Sequence, residues 1–138
     1  MITEHETNFI VMPKDCNWMD DGKLVFGGFM LAQMDLCAAG LIRKVLRSSP
    51  CDSAVTVGVN DVSFIRGAKA GDLVVLKATL WETGKKSITI KIEGWIDKEE
   101  GLLKKCEGFF SWVTRKDGEF ALHSLPTVMN GQIVPDNL

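Results

Sequence analysis

Between Phe29 and Ile42 the only polar side chains are Gln33 and Asp35. The pair Gly27-Gly28 opens this apolar stretch and Ser48-Ser49-Pro50 closes it, which predicts a helix from about 28 to 47. At roughly 1.5 Å per residue such a helix crosses a small domain. It is apolar almost all round, so it is expected to be covered on every face. Beyond it the period drops to two. Val55, Val57 and Val59 alternate with Thr56, Gly58 and Asn60, and then Val62 and Phe64 continue one residue out of step. That slip predicts a β-bulge near Asn60-Asp61. Further strands are predicted at 73–83, 87–97 and 102–114, with turns at Ala70-Gly71-Asp72 and Thr83-Gly84-Lys85-Lys86. In 87–97, Ile88, Ile90, Ile92 and Ile96 share one face. A short strand at 7–12 and a loop at 13–22 precede the helix, and the tail from 116 onward reads as irregular.

One strand, a long helix and four closely connected strands make an α+β chain with an antiparallel sheet of about five strands. A strongly curved sheet can wrap much of the helix. The remaining cover is expected from a second copy, so a homo-oligomer, at least a dimer, is anticipated. The whole chain, 1–138, is read as one domain with its core at about 7–115.

Composition narrows the function classes. Apolar residues are 46% of the chain and charged residues 25%, which suits a globular fold, and the net charge of −2 argues against a general nucleic-acid binder. Cys16, Cys37, Cys51 and Cys106 form no C-x-x-C, and only His5 and His123 could join them, so no metal site is expected. The two histidines lie near the ends and are expected to be exposed. The start is polar and acidic, unlike a signal peptide, and no apolar run reaches the ~20 residues of a membrane span. A reduced, cytoplasmic setting is the expectation.

Asp35 is the candidate for chemistry. Burying an ionised carboxylate costs several kcal/mol unless it is paired. Asp35 follows Gly28 by two helical turns, so the two share a face. There the first backbone N–H groups of the helix lack partners and carry the positive end of the helix dipole. Gly27 and Gly28 leave those groups accessible. N–H donors beside a carboxylate suit hydrolysis at a carbonyl, the donors holding an oxyanion while the carboxylate activates water. The structural alternative is an ion pair of Asp35 with Arg43, Lys44 or a partner's base. Cys37 reads as a small core residue, because no histidine is placed to activate it.

The segment V-F-G-G-F-M-L-A-Q-M-D, residues 25–35, resembles the hot-dog-fold acyl-CoA thioesterases, especially the YciA-like acyl-CoA hydrolases. Met12-Pro13 with Asp15-Cys16-Asn17, the strand V-G-V-N-D-V-S-F-I-R at 57–66, Gly71-Asp72 and T-G-K-K-S at 83–87 extend the resemblance, in order, over roughly 7–115. Three departures stand out: Cys16 where Thr is usual, about three extra residues between Asn17 and Phe26, and Gly67 where Pro commonly follows the arginine.

The resemblance implies a hot-dog fold, a central helix wrapped by the sheet, and hydrolysis of acyl-CoA to CoA and a free acid. It implies Asp35 as general base or nucleophile, Gly28 and Phe29 as amides polarising the thioester carbonyl, and Asn17 acting across a subunit interface. It also implies Arg66, Lys85, Lys86 and Ser87 as contacts for the CoA phosphates. No cofactor is implied, CoA being part of the substrate, and a dimer, tetramer or hexamer is expected. Trp18, in the lengthened loop, is a candidate contact for the acyl chain or adenine. Two alternatives are a non-catalytic acyl-CoA binding or sensor module of the same fold and a hydratase. The latter usually needs a helix histidine, which is missing here.

Overall fold

The structure, a computed structural model, describes residues 1–135, the side chain of Asp20 excepted. Strand β1 (Glu4–Ile10) begins the chain and α1 (Gly27–Val45) follows, prolonged by a 3₁₀ turn at Leu46–Ser48. Then come β2 (Ser53–Phe64), β3 (Leu73–Thr83), β4 (Ser87–Lys98) and β5 (Gly101–Lys116). These five strands form one antiparallel sheet in the order β1-β3-β4-β5-β2, strongly curled around the helix. The expected α+β layout is therefore present. The first strand lies three residues earlier than its apolar stretch suggested.

The core is the concave face of the sheet against one side of α1. Val74, Leu76, Ala78 and Leu80 on β3 and Ile88, Ile90, Ile92 and Ile96 on β4 are all buried there. From the helix come Met30, Met34, Cys37, Ala38, Leu41, Ile42 and Val45. Gly94 is needed among them, because a Cβ there would lie 2.7 Å from Leu76 Cδ2.

The bulge of β2 falls where the phase slip put it. Its pairing with β5 shifts between Asn60 and Ser63, and Asp61 takes a left-handed φ of 52°. A second shift lies between Thr56 and Gly58.

As the need for cover from a second copy predicts, the sheet of one chain leaves part of helix α1 uncovered. Gly28, Ala32 and Leu36 form an open strip, with Leu36 62% exposed. The strip lies beside β2, whose outer edge is unpaired among the described residues and exposes Val57 and Val59. A long apolar free edge is a template for another strand.

The tail is less irregular than it reads. Strand β6 (Glu119–Phe120) pairs with the end of β5, and β7 (Val128–Met129) with β8 (Gln132–Ile133) makes a small hairpin. His123 is buried rather than exposed. Its Nδ1 accepts the Leu125 N–H at 3.0 Å, and its Nε2 lies 3.1 Å from the Ser87 carbonyl, so the neutral ring with hydrogen on Nε2 satisfies both contacts.

Candidate active site

The start of α1 is built to leave donors free. Phe26 is the N-cap, with extended backbone and no side-chain cap, and the first turn holds no acidic residue. The N–H groups of Gly27, Gly28 and Phe29 are therefore available to a ligand. Gly27 lies against the Phe64 ring, where a Cβ would come within 3.2 Å, and a Cβ on Gly28 would lie 3.1 Å from the Phe26 ring. The preceding loop is fastened to this end. The Phe26 N–H donates to the Asp15 carbonyl at 3.1 Å, and the Asp15 carboxylate accepts from the Met12 N–H at 3.1 Å and from Lys14 at 3.0 Å. Burial pushes the Asp15 carboxyl up, but those two donors outweigh it and hold it below the usual range.

Asp35 is half-buried beside the open strip. The Thr56 hydroxyl of β2 donates to its Oδ1 at 2.9 Å, leaving Oδ2 for water or substrate. None of the described ion pairs involves Asp35, so the Arg43 or Lys44 pairing is not formed. Sequence reasoning missed Thr56. A threonine in an alternating strand carries no signal until the fold brings it to the helix. Thr56→Val is expected to lower kcat about tenfold, as loss of one hydrogen bond to a charged group should. KM should change little and Thr56→Ser should restore most of the rate, as steady-state kinetics can check. A fall confined to KM would assign Thr56 to substrate binding instead.

Asn17 lies in a different place. Its N–H donates to the Leu24 carbonyl at 2.9 Å, within a loop held by the Cys16–Val25 and Leu24–Lys69 bridges. Asn17, Arg66 and Lys105 are the polar walls of a cavity of about 210 Å³, and Gly27, Met30 and Phe64 contribute its helix side. Asp35 does not line it. Arg66 is exposed and makes no ion pair among the described residues. The Asn17 Oδ1 is buried and has no hydrogen-bond partner among the described residues.

Lys105 was also missed. The β4–β5 pairing shifts between Gly94 and Trp95: Gly94 faces Cys106 and Trp95 faces Lys104, so Lys105 is the extra residue of a bulge. The bulge turns its side chain inward, and Lys105 is only 2% exposed. Its Nζ donates to the Arg66 carbonyl at 3.0 Å, while its own carbonyl accepts the N–H groups of Ile65 and Arg66. Burial draws its ammonium below the ordinary lysine range, with Cys106 and Asp72 acting weakly the other way.

Lys85, Lys86 and Ser87 are not brought to Arg66 within the chain. Cys106 pairs with Phe64 and Val113 with Ser87, which separates the two ends of the sheet by about 23 Å at roughly 3.3 Å per residue. Lys85 borders a broader hollow of about 470 Å³ with Thr83, His123 and Leu125, at the far end of α1 from the glycine pair, and that hollow holds no candidate for chemistry. Trp18 stands 87% exposed on its loop. Among the described residues no cluster of three or more His, Cys, Asp or Glu could hold a metal ion, and no helix is long and apolar enough to cross a membrane.

A helix clasped by a curled five-stranded sheet, with open amides at its start and a carboxylate two turns on, defines a hot-dog domain of the thioesterase kind. The chain belongs to the thioesterase superfamily, whose family model matches residues 22–102. It is 40% identical over 89 residues to a protein of Buchnera aphidicola (subsp. Baizongia pistaciae) named as an uncharacterised acyl-CoA thioester hydrolase, covering 64% of this chain and 61% of that one. It is 34% identical over 89 residues to the acyl-CoA thioester hydrolase YciA of Escherichia coli K12, covering 64% and 62%. The matched stretch thus spans about three fifths of those relatives. Among solved structures, the hexameric thioesterase y2039 from Yersinia pestis superposes with a TM-score of 0.75 at 30% identity, covering 86% of this chain and 93% of that one.

Proposed function

We propose that this chain hydrolyses acyl-CoA thioesters to CoA and a free carboxylic acid, with no metal or cofactor. The observation that carries the reading is the Thr56-tethered Asp35 carboxylate on the same helix face as the uncapped amides of Gly28 and Phe29. The YciA likeness supports CoA as the thiol carrier.

In the proposed reaction the thioester carbonyl oxygen lies on the N–H groups of Gly28 and Phe29. Asp35 takes a proton from water as the water oxygen bonds to the carbonyl carbon. The oxyanion is held by the amides and the residual positive end of the helix. Collapse breaks the carbon–sulfur bond, and the departing thiolate takes the proton back from Asp35. Direct attack by the Asp35 carboxylate, giving an anhydride that water then opens, uses the same groups. Transfer of ¹⁸O into the protein in a single turnover separates the two routes. Arg66, exposed and able to turn outward from the cavity it borders, is assigned to the CoA phosphates, with the turn at Lys85, Lys86 and Ser87 serving them from another subunit.

The site is assembled between copies in this reading. Two-fold pairing about the middle of β2 sets the Thr56 end of one strand beside the Phe64 end of the other. That brings the Asp35 of one copy towards the Asn17 loop of its partner and covers Leu36 and Val57. The Yersinia likeness supports a homo-oligomer, up to a hexamer.

Free-thiol release from short, medium, long and aromatic acyl-CoAs is the test, alongside the particle mass by light scattering. Turnover of at least one class by an oligomer is expected. A monomer, or no thiol release across the panel, would overturn the reading.

A further inference from the structure

The cavity beside the first turn of α1 is cationic on one wall and apolar on the others. Lys105 is its most buried polar side chain, 2% exposed, and the Arg66 carbonyl is its one hydrogen-bond partner among the described residues. An ammonium has three N–H donors, and no carboxylate among the described residues lies in ion-pair range of it. A buried cation without an anion is costly, so the site is one that an incoming anion completes. The buried Asn17 Oδ1 has no partner among the described residues, and the side-chain amide turned over would put its NH2 donor at that position on the same walls. Met30 and Phe64 supply apolar surface between these groups and Gly27.

Two anions are available on an acyl-CoA: a phosphate, or a carboxylate on the acyl group. The cavity adjoins the helix start, where the thioester carbonyl is held. The phosphates are the whole pantetheine arm away from that carbonyl, whereas the far end of a short acyl chain is only a few bonds from it. The volume, about 210 Å³, is also below the usual range for a pocket that encloses a drug-sized ligand, and it suits a short chain better than a nucleotide.

We propose that Lys105 is a specificity residue that receives the terminal carboxylate of a dicarboxylic acyl group, so that the preferred substrates are short dicarboxylic acids carried as their mono-CoA thioesters. The apolar walls hold the methylene chain, Lys105 holds the carboxylate, and the Asn17 amide nitrogen is free to donate to it. This inference rests on the thioesterase reading.

The test compares glutaryl-CoA with pentanoyl-CoA, equal in carbon number and different in the terminal carboxylate, with spontaneous hydrolysis subtracted. For the wild type, kcat/KM is expected to favour glutaryl-CoA tenfold or more. Lys105→Gln keeps a polar side chain, one bond shorter, but removes the charge, and the ratio should fall by about tenfold or more. Wild-type preference for pentanoyl-CoA overturns the proposal without any variant. An equal loss on both substrates in Lys105→Gln also overturns it, because the lysine then serves the CoA moiety or the fold. If neither substrate, nor any neutral acyl-CoA, releases thiol, the thioesterase reading fails and this one with it. If neutral acyl-CoAs react and glutaryl-CoA does not, only this inference fails.

Discussion

Asp35→Asn is expected to lower kcat on the best acyl-CoA by about 10²- to 10⁴-fold, the usual contribution of a positioned acid–base group. The substitution is nearly isosteric, and the asparagine oxygen can still accept from the Thr56 hydroxyl. What disappears is the ability to take a proton from water, or to attack the carbonyl carbon. The loss should therefore fall on kcat, with KM and the urea unfolding midpoint close to wild type. Thiol-release kinetics and a urea titration check both halves. Wild-type turnover by the variant would remove Asp35 from the reaction. A shifted midpoint would instead assign the carboxylate to the fold.

Phe110→Ala is the substitution with the largest expected effect on stability. Phe110 is 1% exposed and lies opposite Val59 on β2 and Ile90 on β4. Truncating a buried phenylalanine costs about 3–5 kcal/mol, the lost transfer energy plus a cavity that the neighbours only partly fill. A domain has only about 5–15 kcal/mol in total, so the loss is a large share of it. Since β2 pairs with β5 around Phe110, strand β2 should loosen first, and with it the Thr56 contact to Asp35. Urea unfolding at fixed protein concentration should show a lower midpoint with little change in slope. A change under about 1 kcal/mol would mean that the core closes over the gap.

The sheet was legible because its patterning is strong. Four isoleucines at alternate positions in β4 allow one reading, and the bulge in β2 announced itself as a slip of phase. The carboxylate and the glycine pair were legible because they break an apolar helix. Lys105 was not, since two consecutive lysines in a strand look solvated, and only the bulge opposite Gly94 and Trp95 turns one of them inward. That Arg66 and the 85–87 turn lie apart within one chain was not legible for a similar reason: adjacency in a sheet depends on register, which short motifs do not carry. His123 was misjudged because a tail with weak periodicity can still be fastened by specific hydrogen bonds.

Strand β2 has a consequence of its own. It touches both ends of the proposed site, holding Asp35 through Thr56 and resting Phe64 on Gly27. The strand therefore works as a gauge, setting the spacing of carboxylate and amides along the helix from outside. The irregular pairing between Asn60 and Ser63 lies between the two fixed points and acts as the slack in that gauge. Removing Asp61 would exchange the faces of the residues on one side of it, because side chains alternate along a strand. Point substitutions at the bulge should thus be tolerated, while any change in its length should misalign the two halves of the site together.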